Sequence, residues 1–86
     1  MRTVLTMQDA REILQNIAAK LKAASIDSPQ QDARLLLAEA LGRNDAVLPH
    51  ETIPFGDVEN TRLQKLVARR VAREPVSRIR GWREFW

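Results

Sequence analysis

Eighty-six residues, 44% hydrophobic and 29% charged, make one small domain with a modest core rather than a disordered segment. The absence of Cys excludes disulfides and thiolate metal sites. No apolar run approaches the ~20 residues of a membrane span, and Met1 to Asp9 lacks the apolar core and cleavage site of a signal peptide, so a soluble, cytoplasmic chain is expected. The net charge of +3 is unevenly placed: residues 1–61 carry six basic and nine acidic side chains, residues 62–86 eight and two. That asymmetry favours an acidic partner, RNA or an acidic neighbouring domain, against the plain alternative of a solvated helix face.

The first helix is predicted from about Met7 to Ala24. Thr6 is placed to cap it and Asp9 sits three residues on, close to a capping box. Ala10, Ile13, Leu14, Ile17, Ala18 and Leu21 form its apolar stripe at helical spacing. The second helix opens on Ser28-Pro29-Gln30-Gln31: Ser28 as cap, Pro29 at the first helical position, Gln31 reaching back. Ala33, Leu36, Leu37, Ala40 and Leu41 give it a face that Leu35 and Ala38 widen, and Gly42 is the expected terminator. Ile26, just ahead of the cap, is placed to pack back onto it.

Residues 43–56 are irregular. Asn44 to Leu48 suggests one short helical turn, while Pro49 and Pro54 exclude a continuous helix. The last long helix is predicted from Asp57, its cap, to about Arg73, with Val58, Leu63, Leu66, Val67 and Val71 facing the core. Arg62, Lys65, Arg69 and Arg73 are spaced 3, 4 and 4 and so line up as one basic stripe. Arg70 projects beside Leu63 and Leu66 instead, where an Arg needs a carboxylate; Asp32 and Glu39 are the two candidates. Pro75 ends the helix. After Gly81, Trp82, Glu84 and Trp86 alternate with Arg83 and Phe85 in the period-two pattern of a strand entering a sheet. That ending predicts a domain body over residues 1–76 and, over 77–86, the start of a connection to a further domain.

No catalytic constellation is legible. The three Gly, at 42, 56 and 81, assemble no phosphate loop, and there is no Ser/His/Asp set, no Cys nucleophile and no framed carboxylate pair. His50 stands alone, which predicts a surface-loop residue rather than a metal ligand. A basic helix beside Trp and Phe suits RNA, but apolar residues at strand spacing point first to packing, so Trp82, Phe85 and Trp86 are assigned to an inter-domain contact.

Two stretches carry a resemblance. Ile26-Asp27-Ser28-Pro29-Gln30-Gln31-Asp32-Ala33-Arg34-Leu35-Leu36-Leu37-Ala38-Glu39-Ala40-Leu41-Gly42 resembles the second-helix signature of the HemK/PrmC family. Arg69-Arg70-Val71-Ala72-Arg73-Glu74-Pro75-Val76, continuing through Gly81 to Trp86, resembles that family's junction to its catalytic domain. The resemblance implies an all-α bundle of about four to five helices, followed by the start of a β-hairpin linker to a Rossmann-like methyltransferase domain. It further implies a protein-(glutamine-N5) methyltransferase that uses S-adenosylmethionine to methylate the Gln of the Gly-Gly-Gln motif in class I release factors. The family's cofactor loop and its Asn-Pro-Pro-Tyr motif have no counterpart here, so no catalytic, cofactor or metal residue transfers.

What transfers is a docking role, with the release factor and the protein's own catalytic domain as partners, and with no membrane or direct nucleic-acid contact expected. Arg62, Lys65, Arg69, Arg73, Arg78 and Arg80 are the expected partner-facing residues; Ser28, Pro29, Asp32, Gly42, Arg70, Pro75 and Gly81 are expected to be structural. The rival readings are a small basic RNA-binding module and a structural dimerisation domain.

Overall fold

The computed structural model describes residues 6–81. Among them run, in chain order, β1 (Met7–Asp9), α1 (Ala10–Ala23), α2 (Pro29–Leu41), β2 (Thr52–Pro54), α3 (Asp57–Val71) and α4 (Val76–Arg80). The fold is a small helical bundle, as the helical periodicities predict. α2 sits at its centre and packs against α1, α3 and α4. Leu14, Ile17 and Leu21 of α1, Leu36 and Leu37 of α2, Leu63 and Val67 of α3 and Ile79 of α4 close one core. Val47, Ile53 and Phe55 cap it from the connection between α2 and α3.

The sequence did not reveal the small sheet. Residues 7–9 are strand rather than the first turn of α1, and they pair antiparallel with β2, Gln8 opposite Ile53. The amides of Phe55 and Ala10 extend this pairing, donating to the carbonyls of Thr6 and Glu51 at 2.9 Å each. The cap of α1 is therefore Asp9, whose Oδ1 accepts from the Arg11 amide at 2.9 Å, and not Thr6. Asn44 to Leu48 forms no helical turn: β2 draws this stretch across the bundle, and the Val47 amide donates to the Arg34 carbonyl at 3.2 Å.

The helix starts also differ in detail. Ser28 stands at the α2 cap position, but its side chain makes no capping hydrogen bond; the Asp32 amide is met by the Ser28 carbonyl instead. At α3 the cap is Gly56, with Asp57 the first helical residue. The Glu59 carboxylate reaches back 2.9 Å to the Gly56 amide, one half of a capping box.

The three long helices end alike. The amides of Ile26, Arg43 and Glu74 bond back to the carbonyls of Leu21, Ala38 and Arg69, and the preceding amides bond to Lys22, Glu39 and Arg70. This double closure needs a left-handed residue one place past the cap. Gly42 fills it after α2 at φ 77°, whereas Ser25 and Arg73 fill it at φ 64° and 78° without the freedom of glycine. The turn through Arg73 stops α3 at Val71, two residues before the predicted end. Val58 and Val71, assigned to the core by period, stand at the two ends of α3 and lie 53% and 39% exposed.

Residues 76–80 are helix, and Ile79 is buried in the common core. The boundary expected between 76 and 77 thus falls inside α4, whose residues pack against the rest of the bundle. Trp82, Phe85, Trp86 and the strand expected through them lie outside the described residues.

Candidate docking surface

Arginine geometry divides the molecule into bonds that hold it together and charges that face outward. Arg70 Nε donates to Asp32 Oδ2 at 2.9 Å, one of the two carboxylates that helical spacing offered, and Nη1 donates to the Glu74 carbonyl at 3.0 Å. The pair is largely covered, with side chains 21% and 11% exposed. Arg70 thereby ties α3 to the first turn of α2, where a carboxylate also faces the positive end of the helix.

Arg80, expected to face a partner, is structural. Its side chain is 9% exposed. Nη1 donates to the carbonyl of Leu35 at 3.2 Å and Nη2 to those of Arg43 and Asn44 at 2.9 Å each, with Glu39 Oε1 3.6 Å from Nε. The guanidinium fork suits this task, because it offers several donors in one plane to the chain leaving the C-terminus of α2.

The α3 stripe is only partly free. Arg62 reaches the Ala40 carbonyl at 3.1 Å. Arg69 forms a forked pair with Glu74 at 2.9 and 2.6 Å, and Arg73 approaches the Ser25 carbonyl at 3.5 Å. Lys65 and Arg78 are exposed and make no side-chain hydrogen bond or ion pair among the described residues. His50 is exposed in the connecting loop.

That loop is held by a further ion pair. Arg43 donates to Glu51 Oε2 at 2.7 Å and to the carbonyls of Asp45 and Ala46, while the Leu48 amide donates to the same carboxylate at 2.8 Å. The Arg43 hydrogen bond, with the Leu48 amide second, holds the Glu51 carboxyl down at about 2. Glu74 is lowered in the same direction by its bond from Arg69.

A feature that periodicity did not single out lies between α1 and α2. A groove of about 390 Å³ is floored by Leu14, Ala18 and Pro49 and edged by Arg11, Lys22 and Arg34. Its signal in the sequence was the second face of α1: Arg11, Gln15, Ala18 and Lys22 recur at 4, 3 and 4, beside the apolar stripe that dominates the helix. Among the described residues, no three His, Cys, Asp or Glu side chains are grouped as a metal ion would need, and no helix is long and apolar enough to cross a membrane.

These features define a small helical bundle with a shallow apolar groove between α1 and α2 whose charged lining residues are all cationic. The model of the PrmC N-terminal domain family matches residues 12–81, and the chain belongs to that family. A release factor glutamine methyltransferase of Bradyrhizobium diazoefficiens is 35% identical over 82 residues, 94% of this chain and 28% of the relative's length. One of Rhodospirillum rubrum is 43% identical over 75 residues, covering 86% and 23%. One of Agrobacterium fabrum is 41% identical over 81 residues, covering 90% and 28%. The chain thus spans about a quarter of the length of these relatives. No solved structure matches significantly.

Proposed function

We propose that this chain is the release-factor-recognition domain of an S-adenosylmethionine-dependent protein-(glutamine-N5) methyltransferase, which methylates the Gln of the Gly-Gly-Gln motif of class I release factors in the cytoplasm. The observation that carries the reading is coincidence of extent: the family match over 12–81 covers nearly the whole folded body, and the similar proteins bear the name release factor glutamine methyltransferase. In this reading the cofactor and the reacting groups belong to the catalytic part of the enzyme. The bundle supplies contacts remote from the reacting Gln, and such contacts orient a large substrate and lower the barrier at the distant centre.

Physical chemistry suits that role. The core and the arginine clamps make a rigid platform, and Lys65 and Arg78 are presented on it to solvent. Exposed cations steer an acidic partner and raise its association rate. Among the described residues the one Phe, Trp or Tyr, Phe55, is buried and offers no face for base stacking.

Kinetics of the full-length enzyme test the reading. Deleting residues 1–81 should lower kcat/KM for an intact release factor by about tenfold or more while changing that for a short Gly-Gly-Gln peptide little, since only the large substrate reaches the bundle. Equal losses on both substrates would contradict a recognition role.

A further inference from the structure

We propose that the α1–α2 groove seats an acidic, amphipathic segment of the protein partner, with an apolar side chain on the floor and carboxylates against the rim. This rests on the release-factor reading and names the face and the chemistry of the contact.

The groove's shape and charge carry the proposal. Leu14 and Ala18 are core residues whose outer atoms form its floor with Pro49. Arg11 and Lys22 stand at the two ends of one face of α1, with Arg34 opposite on α2. No Asp or Glu lines the groove. None of the three cations makes a side-chain hydrogen bond or ion pair among the described residues. Arg43, Arg62, Arg69, Arg70, Arg73 and Arg80, by contrast, all donate to acceptors within the chain, Arg69 and Arg73 at its surface.

The contrast gains weight from its location. The groove gathers three of the six basic residues found in positions 1–61, the acidic part of the chain. Cations concentrated over apolar ground, with no carboxylate to neutralise them, are complementary to a helix bearing one apolar anchor and acids at i+3 and i+4. Nucleic acid is the poorer fit: the groove has no aromatic lining and presents three cations around an apolar floor rather than along a phosphate track.

Calorimetric titration of the chain with a purified class I release factor, at low and at high salt, tests this. The double variant Lys22→Glu/Arg34→Glu reverses the rim. Ala19→Trp, at an exposed groove position, blocks the floor without changing charge. Lys20→Glu reverses one charge on the opposite face of α1. The wild-type affinity should fall with salt. Both groove variants should weaken binding by about tenfold or more and Lys20→Glu by less than about twofold, with helix content by circular dichroism unchanged. Should the double variant fail to fold, Ala19→Trp decides alone.

Wild-type binding that survives both groove variants overturns the groove and leaves the recognition role standing. Loss with the double variant but not with Ala19→Trp also overturns it, since charge then acts at a distance. A wild-type chain that binds no release factor overturns the recognition role itself, and the groove assignment with it. Tighter binding of a ribosomal RNA fragment, lost in the double variant, would assign the groove to phosphate instead and overturn the protein segment.

Discussion

Asp32 and Arg70 show how one side chain fixes the facing of a helix. Position 70 lies about 100° from 69 around α3, so one neighbour turns inward to Asp32 while the other pairs at the surface with Glu74. Removing one member of a covered pair leaves a charge without its partner. Arg70→Ala should therefore cost on the order of 1–3 kcal/mol, whereas Arg69→Ala, which opens a solvent-screened surface pair, should cost clearly less; thermal melts of the two variants compare them directly. Arg80 makes a stricter test of geometry, because a Lys retains the charge and loses the fork. Arg80→Lys should still lose on the order of 1–2 kcal/mol in urea unfolding, since one ammonium does not replace donors to three carbonyls. Wild-type stability in that variant would mean charge alone suffices.

Acid should loosen the connecting loop through Glu51. Its folded-state value of about 2 lies below the ordinary 4.5, so its contribution is fully present above about pH 4.5 and is lost as pH falls toward about 2. Glu51→Gln should melt earlier than wild type at neutral pH, and the two curves should converge in acid. A gap that persists at about pH 2 would show that Glu51 acts through packing rather than through its charge.

At the scale of elements, the shared helix ending is the informative comparison. Gly42 lies at φ 77° with nothing within 4 Å of where a Cβ would stand. Gly42→Ala should therefore cost about 1 kcal/mol through the backbone alone. Arg73 adopts the same conformation with a full side chain and holds the Ser25 carbonyl only at 3.5 Å. Arg73→Gly should therefore raise the melting temperature or leave it unchanged, the opposite sign to Gly42→Ala. A clear loss on Arg73→Gly would mean that the Ser25 contact outweighs the backbone strain.

Elements also differ in how legible they were. Long helices announce themselves through periodicity, so α1, α2 and α3 and the inward side of Arg70 could be read from spacing. β1 and β2 could not: each has three residues, β1 is exposed throughout, and their pairing joins positions more than forty residues apart. α4 has five residues, too few to show a period. Arg80 consequently read as one more surface cation, and the groove was missed because the stronger apolar stripe on α1 masked the face of Arg11 and Lys22.

For the molecule as a whole, α4 belongs to the cooperative unit. Ile79 is buried against α2 and α3, and Arg80 closes the C-terminal end of α2. A chain ending at Pro75 should lose on the order of 3 kcal/mol or more, because it gives up a buried Ile together with the carbonyl clamp. Equal melting temperatures for the two lengths would place α4 outside the folding unit. Platform and docking surface are linked in this way: the clamps that rigidify the bundle leave Arg11, Lys22 and Arg34 on one face and Lys65 and Arg78 elsewhere.

Direct titration of the 86-residue chain into a purified class I release factor tests the recognition role most simply. Saturable one-to-one binding that weakens as salt rises is the predicted result. No heat change and no complex at concentrations of about 100 μM, where even a weak specific contact is populated, would contradict it.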